Sequence, residues 1–191
     1  MPKPNVREQL MAAGLRTLHT QGFNGCAVQD ITQAAGVPKG SFYNHFESKE
    51  ALAMAALNLF WEKGAARRAV LADATVAPVE RLRGYFRSIA AAADRAHYER
   101  GCLVGNFSSE MTGSPAFRER LAQIYADWGT DIEHCIDEAQ TAGQLKVQLP
   151  TKALAAFLVN AWEGAVLRSK VEQTRAAFDD FDRVVFGGLF V

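Results

Sequence analysis

The chain is poor in cysteine, carries no net charge and has no long apolar run, and each of these shortages excludes a class of protein. Its three cysteines, Cys26, Cys102 and Cys135, are odd in number and nowhere spaced Cys-x-x-Cys, which argues against a disulfide framework and against a zinc site. His19, His45, His97 and His134 likewise lack metal-ligand spacing, so no metal is expected. No apolar segment approaches the roughly 20 residues that cross a bilayer. The start, MPKPNVREQL, lacks the apolar stretch and cleavage site of a secretory leader, so a cytoplasmic protein is expected. Lys and Arg number 21, as do Asp and Glu, and the basic stripe that marks many nucleic-acid binders is missing. Gly-x-Ser-x-Gly, His-Glu-x-x-His, a phosphate-binding glycine loop and a carboxylate pair in contrasting surroundings are also missing; neither an enzyme nor a cofactor is expected.

What is present is the material for a buried core: 49% of the residues are apolar, and Phe alone accounts for 12 of them. Helical periodicity dominates, with no alternation of period two, so an all-α fold of about nine helices is expected. Val6, Leu10, Ala13 and Thr17 line a first helix closed by Gly22, and Val28, Ile31, Ala34 and Ala35 line a short second one closed by Gly36. Ser48 suits the start of a long fourth helix running on to Leu71, and Pro78 opens a fifth, VERLRGYFRSIAAAADRAHYE. The segment from Gly101 to Thr112 is shorter and less regular. From Pro115 on, Phe117, Leu121, Ile124, Trp128, Ile132 and Cys135 recur every three or four residues, which marks one buried face. Leu154, Phe157, Leu158, Ala161 and Ala165 stripe the next helix, whose small residues Ala161, Gly164 and Ala165 would admit a close neighbour. Phe178, Phe181, Val185 and Leu189 stripe the last.

Residues 28–46, VQDITQAAGVPKGSFYNHF, form two short helical patterns around Gly36-Val37-Pro38, the arrangement of a helix-turn-helix. Gly36 supplies the left-handed turn residue, and Val37 is expected as its buried plug. On the segment from Lys39 to Phe46, Phe42 and Phe46 lie four apart and can face a core. That leaves Ser41, Tyr43, Asn44 and His45 pointing outwards, all hydrogen-bonding types suited to the edges of a major groove. Lys39 and Lys49 flank this segment as phosphate contacts, and no acidic residue occurs between Ile31 and Phe46. A purely structural helical adaptor suits the neutral charge but leaves this outward polar set without a purpose.

The stretch GFNGCAVQDITQAAGVPKGSFYNHFESKEAL resembles the DNA-binding signature of the TetR/AcrR family in its Gly-Phe entry, its Ala-Ala-Gly-Val turn, its Lys-Gly-Ser-Phe-Tyr-x-His-Phe recognition segment and its Ser-Lys-Glu-x-Leu helix start. The resemblance implies a homodimeric regulator whose residues 1–48 hold a pseudo-palindromic double-stranded operator. Residues 49–191 would sense a small molecule and dimerise through the last two long helices. Carried onto matching positions, Lys39, Ser41, Tyr43, His45 and Lys49 become DNA contacts, with Asn44 the base reader and Gln29 a backbone contact. The chain departs from the family pattern at Cys26 and Ala27, where hydroxyl residues commonly cap the second helix. The resemblance implies a repressor released from its operator by a small-molecule or electrophilic effector, while the residues alone leave repression against activation open.

For the sensing half, Trp61, Phe86, Phe107, Trp128, Phe157 and Trp162 are aromatic positions able to line an apolar cavity, although an aromatic on a helical stripe is more often core. Cys102, at the start of an irregular helix, is placed where free amides favour a thiolate. The Gly-Cys-Leu context is similar to a family branch with sensors of electrophiles and oxidants, and within that resemblance Lys170 is a candidate neighbour of the sulfur. The effector set is therefore Cys102, Phe107, Trp128, Trp162 and Lys170, for an apolar or electrophilic compound. Cys135 is expected in the core and Cys26 in a packing role.

Overall fold

The computed structural model describes residues 5–190. Asn5 opens the first helix, α1 (Val6–Gln21), with a reciprocal cap: its side chain accepts from the Glu8 amide at 2.8 Å, and the Glu8 carboxylate accepts from the Asn5 amide at 3.3 Å. Gly22, at φ 77°, ends it. Helix α2 (Val28–Ala35) begins at Ala27, which has no side-chain cap to offer; the Asp30 carboxylate bonds back to the Ala27 amide at 2.7 Å instead. Gly36 closes α2 in the left-handed conformation, φ 68° and ψ 31°.

Helix α3 is a single turn, Gly40–Tyr43, shorter than the Lys39–Phe46 rod expected from the sequence. After it the amides of His45 and Phe46 both donate to the Phe42 carbonyl at 3.0 Å, so the segment continues as a hydrogen-bonded turn. Helix α4 (Lys49–Lys63) starts where expected, with Ser48 Oγ accepting from the Ala51 amide at 3.1 Å. It does not run on to Leu71: Gly64 interrupts it, and one α-turn, Ala65–Arg68, and one 3-10 turn, Ala69–Ala72, follow. The remaining helices are α5 (Pro78–Arg95), α6 (Leu103–Glu110), α7 (Pro115–Thr141), α8 (Thr151–Glu172) and α9 (Ala176–Gly188). With the two single turns taken as the frayed end of α4, these are the nine expected helices among the described residues. Helix α5 stops short of the expected AHYE because His97 and Tyr98 turn to positive φ, 49° and 58°, with the Tyr98 hydroxyl donating to the Asp94 carboxylate at 2.6 Å.

The chain forms two compact units, Met1–Lys63 with Cys102–Leu121, and Gly64–Gly101 with Ala122–Val191. In the first, Leu10, Leu18, Ile31, Phe42, Leu52 and Leu57 are fully buried. Each such side chain contributes about 1.5–3 kcal/mol relative to exposure. Gly14 lets α1 lie directly on α4, since a Cβ there would sit 2.5 Å from Leu52 Cδ2.

In the second unit Trp162 stacks on Phe178 with ring centres 4.9 Å apart and meets Phe86 and Phe181 at 4.9 and 5.1 Å, which ties α5, α8 and α9 together. Asp182 on α9 accepts from both Arg83 and Arg87 on α5, and these guanidiniums hold its carboxyl below the ordinary range. Arg81, buried, donates to the Leu71 carbonyl at 2.7 Å and to the Glu138 carboxylate of α7. The expected stripe on α7 is buried throughout, Cys135 included; burial pushes its thiol up to about 11 while it donates to the Pro78 carbonyl at 3.1 Å. Phe157 is a correction: it is 55% exposed, and with Leu167, Val171 and Val184 it forms an apolar set facing outwards from α8 and α9. Periodicity marks an apolar face without saying whether the chain's own core or something else covers it.

Candidate nucleic-acid interface

The presented surface is built on a hydrophobic anchor. Phe42 is fully buried and Phe46 is 6% exposed, with ring centres 5.7 Å apart, and together they pin the turn that follows α2. The Ser41 amide donates to Pro38 and the Phe42 amide to Lys39, which fixes α3 directly to the Gly36–Pro38 turn. Val37 is half-buried, so the turn is held more by Phe42 than by the expected plug.

With Phe42 inward, Tyr43, Asn44 and His45 are exposed, Tyr43 at 59% with its ring edge against Phe42. Ser41 is half-buried, at the margin of this group. Lys39 and Gln29 are exposed at the starts of α3 and α2. Sequence reasoning missed Arg7: its guanidinium lies 5.4 Å from the centre of the Phe46 ring, which brings a cation from α1 up to the segment. Six of the seven expected contacts thus lie exposed or at the margin of one unit.

Lys49, the seventh, is turned elsewhere. Its ammonium donates to the carbonyls of Phe23 and Cys26 at 2.9 and 2.8 Å and lies 3.9 Å from the Phe23 ring centre. Cys26 is packed as expected, and burial raises its thiol pKa against the opposing pull of Lys49.

The expected effector residues divide between the units. Cys102 and Phe107 belong to the first: Cys102 is half-buried at the N-cap of α6, and Phe107 is fully buried with its ring edge on Phe117. Trp128, Trp162 and Lys170 belong to the second, where both tryptophans are buried and Lys170 is half-buried. The second unit has a cavity of about 180 Å³ floored by Phe86, Trp162, Phe178 and Phe181, and one of about 400 Å³ beside Arg68, Asp131, His134 and Glu138. Of the five, Trp162 lines the smaller of these. Among the described residues no group of His, Cys, Asp and Glu is placed to hold a metal, and no helix is long and apolar enough to cross a membrane.

Residues 10–56 match the family model for bacterial regulatory proteins of the tetR family, and residues 78–185 match the tetracyclin repressor-like C-terminal domain. The chain belongs to the TetR family. It is 42% identical over 191 residues to the HTH-type transcriptional repressor DhaR of Mycobacterium sp. strain GP1, a match covering 99% of this chain and 94% of DhaR. The transcriptional regulator AcuR of Cereibacter sphaeroides is 36% identical, over 97% of this chain and 85% of AcuR. A crystal structure of a TetR regulatory protein from Rhodobacter sphaeroides superposes with a TM-score of 0.91 at 34% identity, covering 97% of this chain and 99% of that one. The TetR assignment makes the chain a DNA-binding transcriptional regulator and not an enzyme.

Proposed function

We propose that this TetR-family regulator is a repressor that occupies a pseudo-palindromic operator as a homodimer and leaves it when an apolar or electrophilic small molecule is taken up. The observation that carries the reading is the exposed Tyr43-Asn44-His45 row, backed by buried Phe42 and flanked by exposed Lys39. Lys39, Gln29 and Ser41 meet the phosphate backbone and position the segment; Tyr43, Asn44 and His45 meet base edges, with Asn44 the reader. The name of DhaR, a repressor, supports repression over activation. A protein that meets chromosomal DNA in this way works in the cytoplasm.

Residues 1–48 serve DNA binding, and 49–191 serve sensing and dimerisation. The exposed Phe157, Leu167, Val171 and Val184 on α8 and α9 supply the apolar face a second copy covers, and Gly164, with open space where a Cβ would stand, lets the partner helix come close. Two copies then offer two recognition segments to half-sites about 34 Å apart, one turn of DNA. Effector uptake in the second unit, in the cavity that Trp162 lines, or reaction at Cys102 in the first, shifts the population towards a geometry that no longer fits that spacing.

An electrophoretic shift with the duplex upstream of the chain's own gene tests the reading. A shifted complex with dimer stoichiometry, dissolved by an apolar or electrophilic compound, is expected; absence of any sequence-preferring complex overturns it. Normal release of a Cys102→Ser variant by an electrophile removes the thiol from the sensing step and leaves reversible uptake.

A further inference from the structure

The loop between α1 and α2 is gripped from two sides. From α4, Lys49 donates to the carbonyls of Phe23 and Cys26 at 2.9 and 2.8 Å and sets its charge over the Phe23 ring, 3.9 Å from the centre. An ammonium has three N–H groups, and two carbonyls and a ring face account for all of them. From α6, Glu110 accepts the Phe23 amide, and its carboxylate lies so close to Gly22 that a Cβ there would come within 2.5 Å of Oε1. One turn earlier on the same helix, Asn106 donates to the His19 carbonyl at 3.3 Å. Phe23 is therefore held at its amide by an anion and at its carbonyl by a cation, contributed by two different helices of one compact unit.

This loop sets how α2 and α3 sit on α1. Gly22 takes a φ of 77°, a backbone state with little cost only for glycine, so the loop leaves α1 at an angle a regular helix end would not produce. Ala27 has no side-chain oxygen with which to cap α2, so beyond the bond from the Ala27 amide to Asp30 the α2 entry rests on what holds residues 22–26.

We propose that Lys49 and Glu110 are a paired clamp on this loop that sets the pose of the helix-turn-helix, and that Lys49 supports operator binding as a positioning residue rather than as a phosphate contact. The proposal rests on the DNA-binding reading of this unit. A residue that meets a phosphate releases counterions, and its loss flattens the salt dependence of binding by about 0.9 log–log units per contact. A residue that acts through the loop lowers affinity equally at every salt concentration. Lys49→Arg keeps the charge and can reach both carbonyls, so it restores most of the affinity that Lys49→Met loses.

The test uses the full-length protein and a labelled duplex from upstream of its gene, titrated between about 50 and 200 mM salt. Lys49→Met and Glu110→Met each weaken binding roughly tenfold or more with the slope unchanged, the double variant loses less than the product of the two because both act on one loop, and Lys39→Met flattens the slope. Stoichiometric titration corrects each affinity for the active fraction. A second readout needs no DNA: Cys26, 2% exposed, lies inside the clamped loop, and its alkylation rate, resolved by peptide mass spectrometry, rises in Lys49→Met and Glu110→Met. A slope lost by Lys49→Met as by Lys39→Met, an affinity loss that vanishes after the active-fraction correction, strictly multiplicative losses, or unchanged Cys26 labelling would overturn the clamp. Failure of the wild-type protein to bind any duplex overturns the DNA-binding reading instead, while Cys26 labelling still reports on the clamp.

Discussion

Trp162→Ala removes the ring on which three helices converge. Trp162 is 2% exposed and touches the rings of Phe86, Phe178 and Phe181 at centre distances of 4.9, 4.9 and 5.1 Å, so truncation opens a hole lined by aromatic faces that cannot collapse without moving α5 or α9. Large-to-small changes at such positions cost about 3–5 kcal/mol. Aromatic pairs add about 0.5–1.5 kcal/mol each beyond area burial, which places this site at the upper end. For a chain of this size each kcal/mol lowers the melting temperature by about 2–4 °C, so a drop of roughly 6–20 °C is expected by far-ultraviolet circular dichroism. Trp162→Phe keeps a ring in the cluster and costs less, about 1–2 kcal/mol. A shift under about 2 °C for the alanine variant, or an equal loss for both, would refute the claim that this cluster organises the second unit.

At the turn of the helix-turn-helix, Gly36→Ala is expected to cost about 1–2 kcal/mol by chemical denaturation through its φ of 68° alone, since a Cβ there meets nothing within 4 Å; Gly40→Ala, at ordinary φ and equally open, is expected to be neutral or slightly stabilising in the free protein. The Cys135 thiol keeps its proton in the fold up to about pH 11, whereas an unfolded chain releases it near 8.5, so stability falls between these values by up to about 1.4 kcal/mol per pH unit. Cys135→Ser removes that slope in denaturation curves compared across alkaline pH. Asp182, held ionised by Arg83 and Arg87, contributes in the opposite sense: its stabilisation is present above the unfolded carboxylate range near 3.9 and is lost as pH falls through its lowered folded value. Because the group is partly solvated, Asp182→Asn should cost about 1 kcal/mol or less at neutral pH, and the acid limb of a stability–pH profile should flatten.

Residues whose role is set by near neighbours in sequence were legible from the start. The α7 stripe from Phe117 to Cys135 is buried as its spacing demands, Gly36 takes the left-handed turn, Ser48 caps α4, and the inward Phe42 with the outward Tyr43, Asn44 and His45 follow from a four-residue separation. Residues whose partners lie far away were not. Lys49 reads as a phosphate contact, yet its partners are the carbonyls of Phe23 and Cys26; Glu110, which no local pattern singles out, holds the Phe23 amide. Arg81 is buried against Glu138, 57 residues on, a pairing no local pattern announces. Phe157 belongs to a convincing stripe and is exposed, because an apolar face has the same period whether the chain's own core covers it or not. Helix ends were less legible: α3 closes after one turn, and α4 breaks at Gly64, where the low helix propensity of glycine outweighs the apolar pattern that continues to Leu71.

The most direct test of the account is the affinity of the full-length protein for its upstream duplex, by fluorescence anisotropy at fixed salt, with Tyr43→Ala, Asn44→Ala and Phe157→Lys beside wild type. Sequence-preferring binding is expected for wild type. The first two variants should each lose about 1–3 kcal/mol of affinity with an unchanged melting temperature, and the third should lose affinity together with dimerisation. Wild-type affinity in Tyr43→Ala and Asn44→Ala, or equal binding of the wild-type protein to any duplex, would contradict the claim that this exposed row reads the operator.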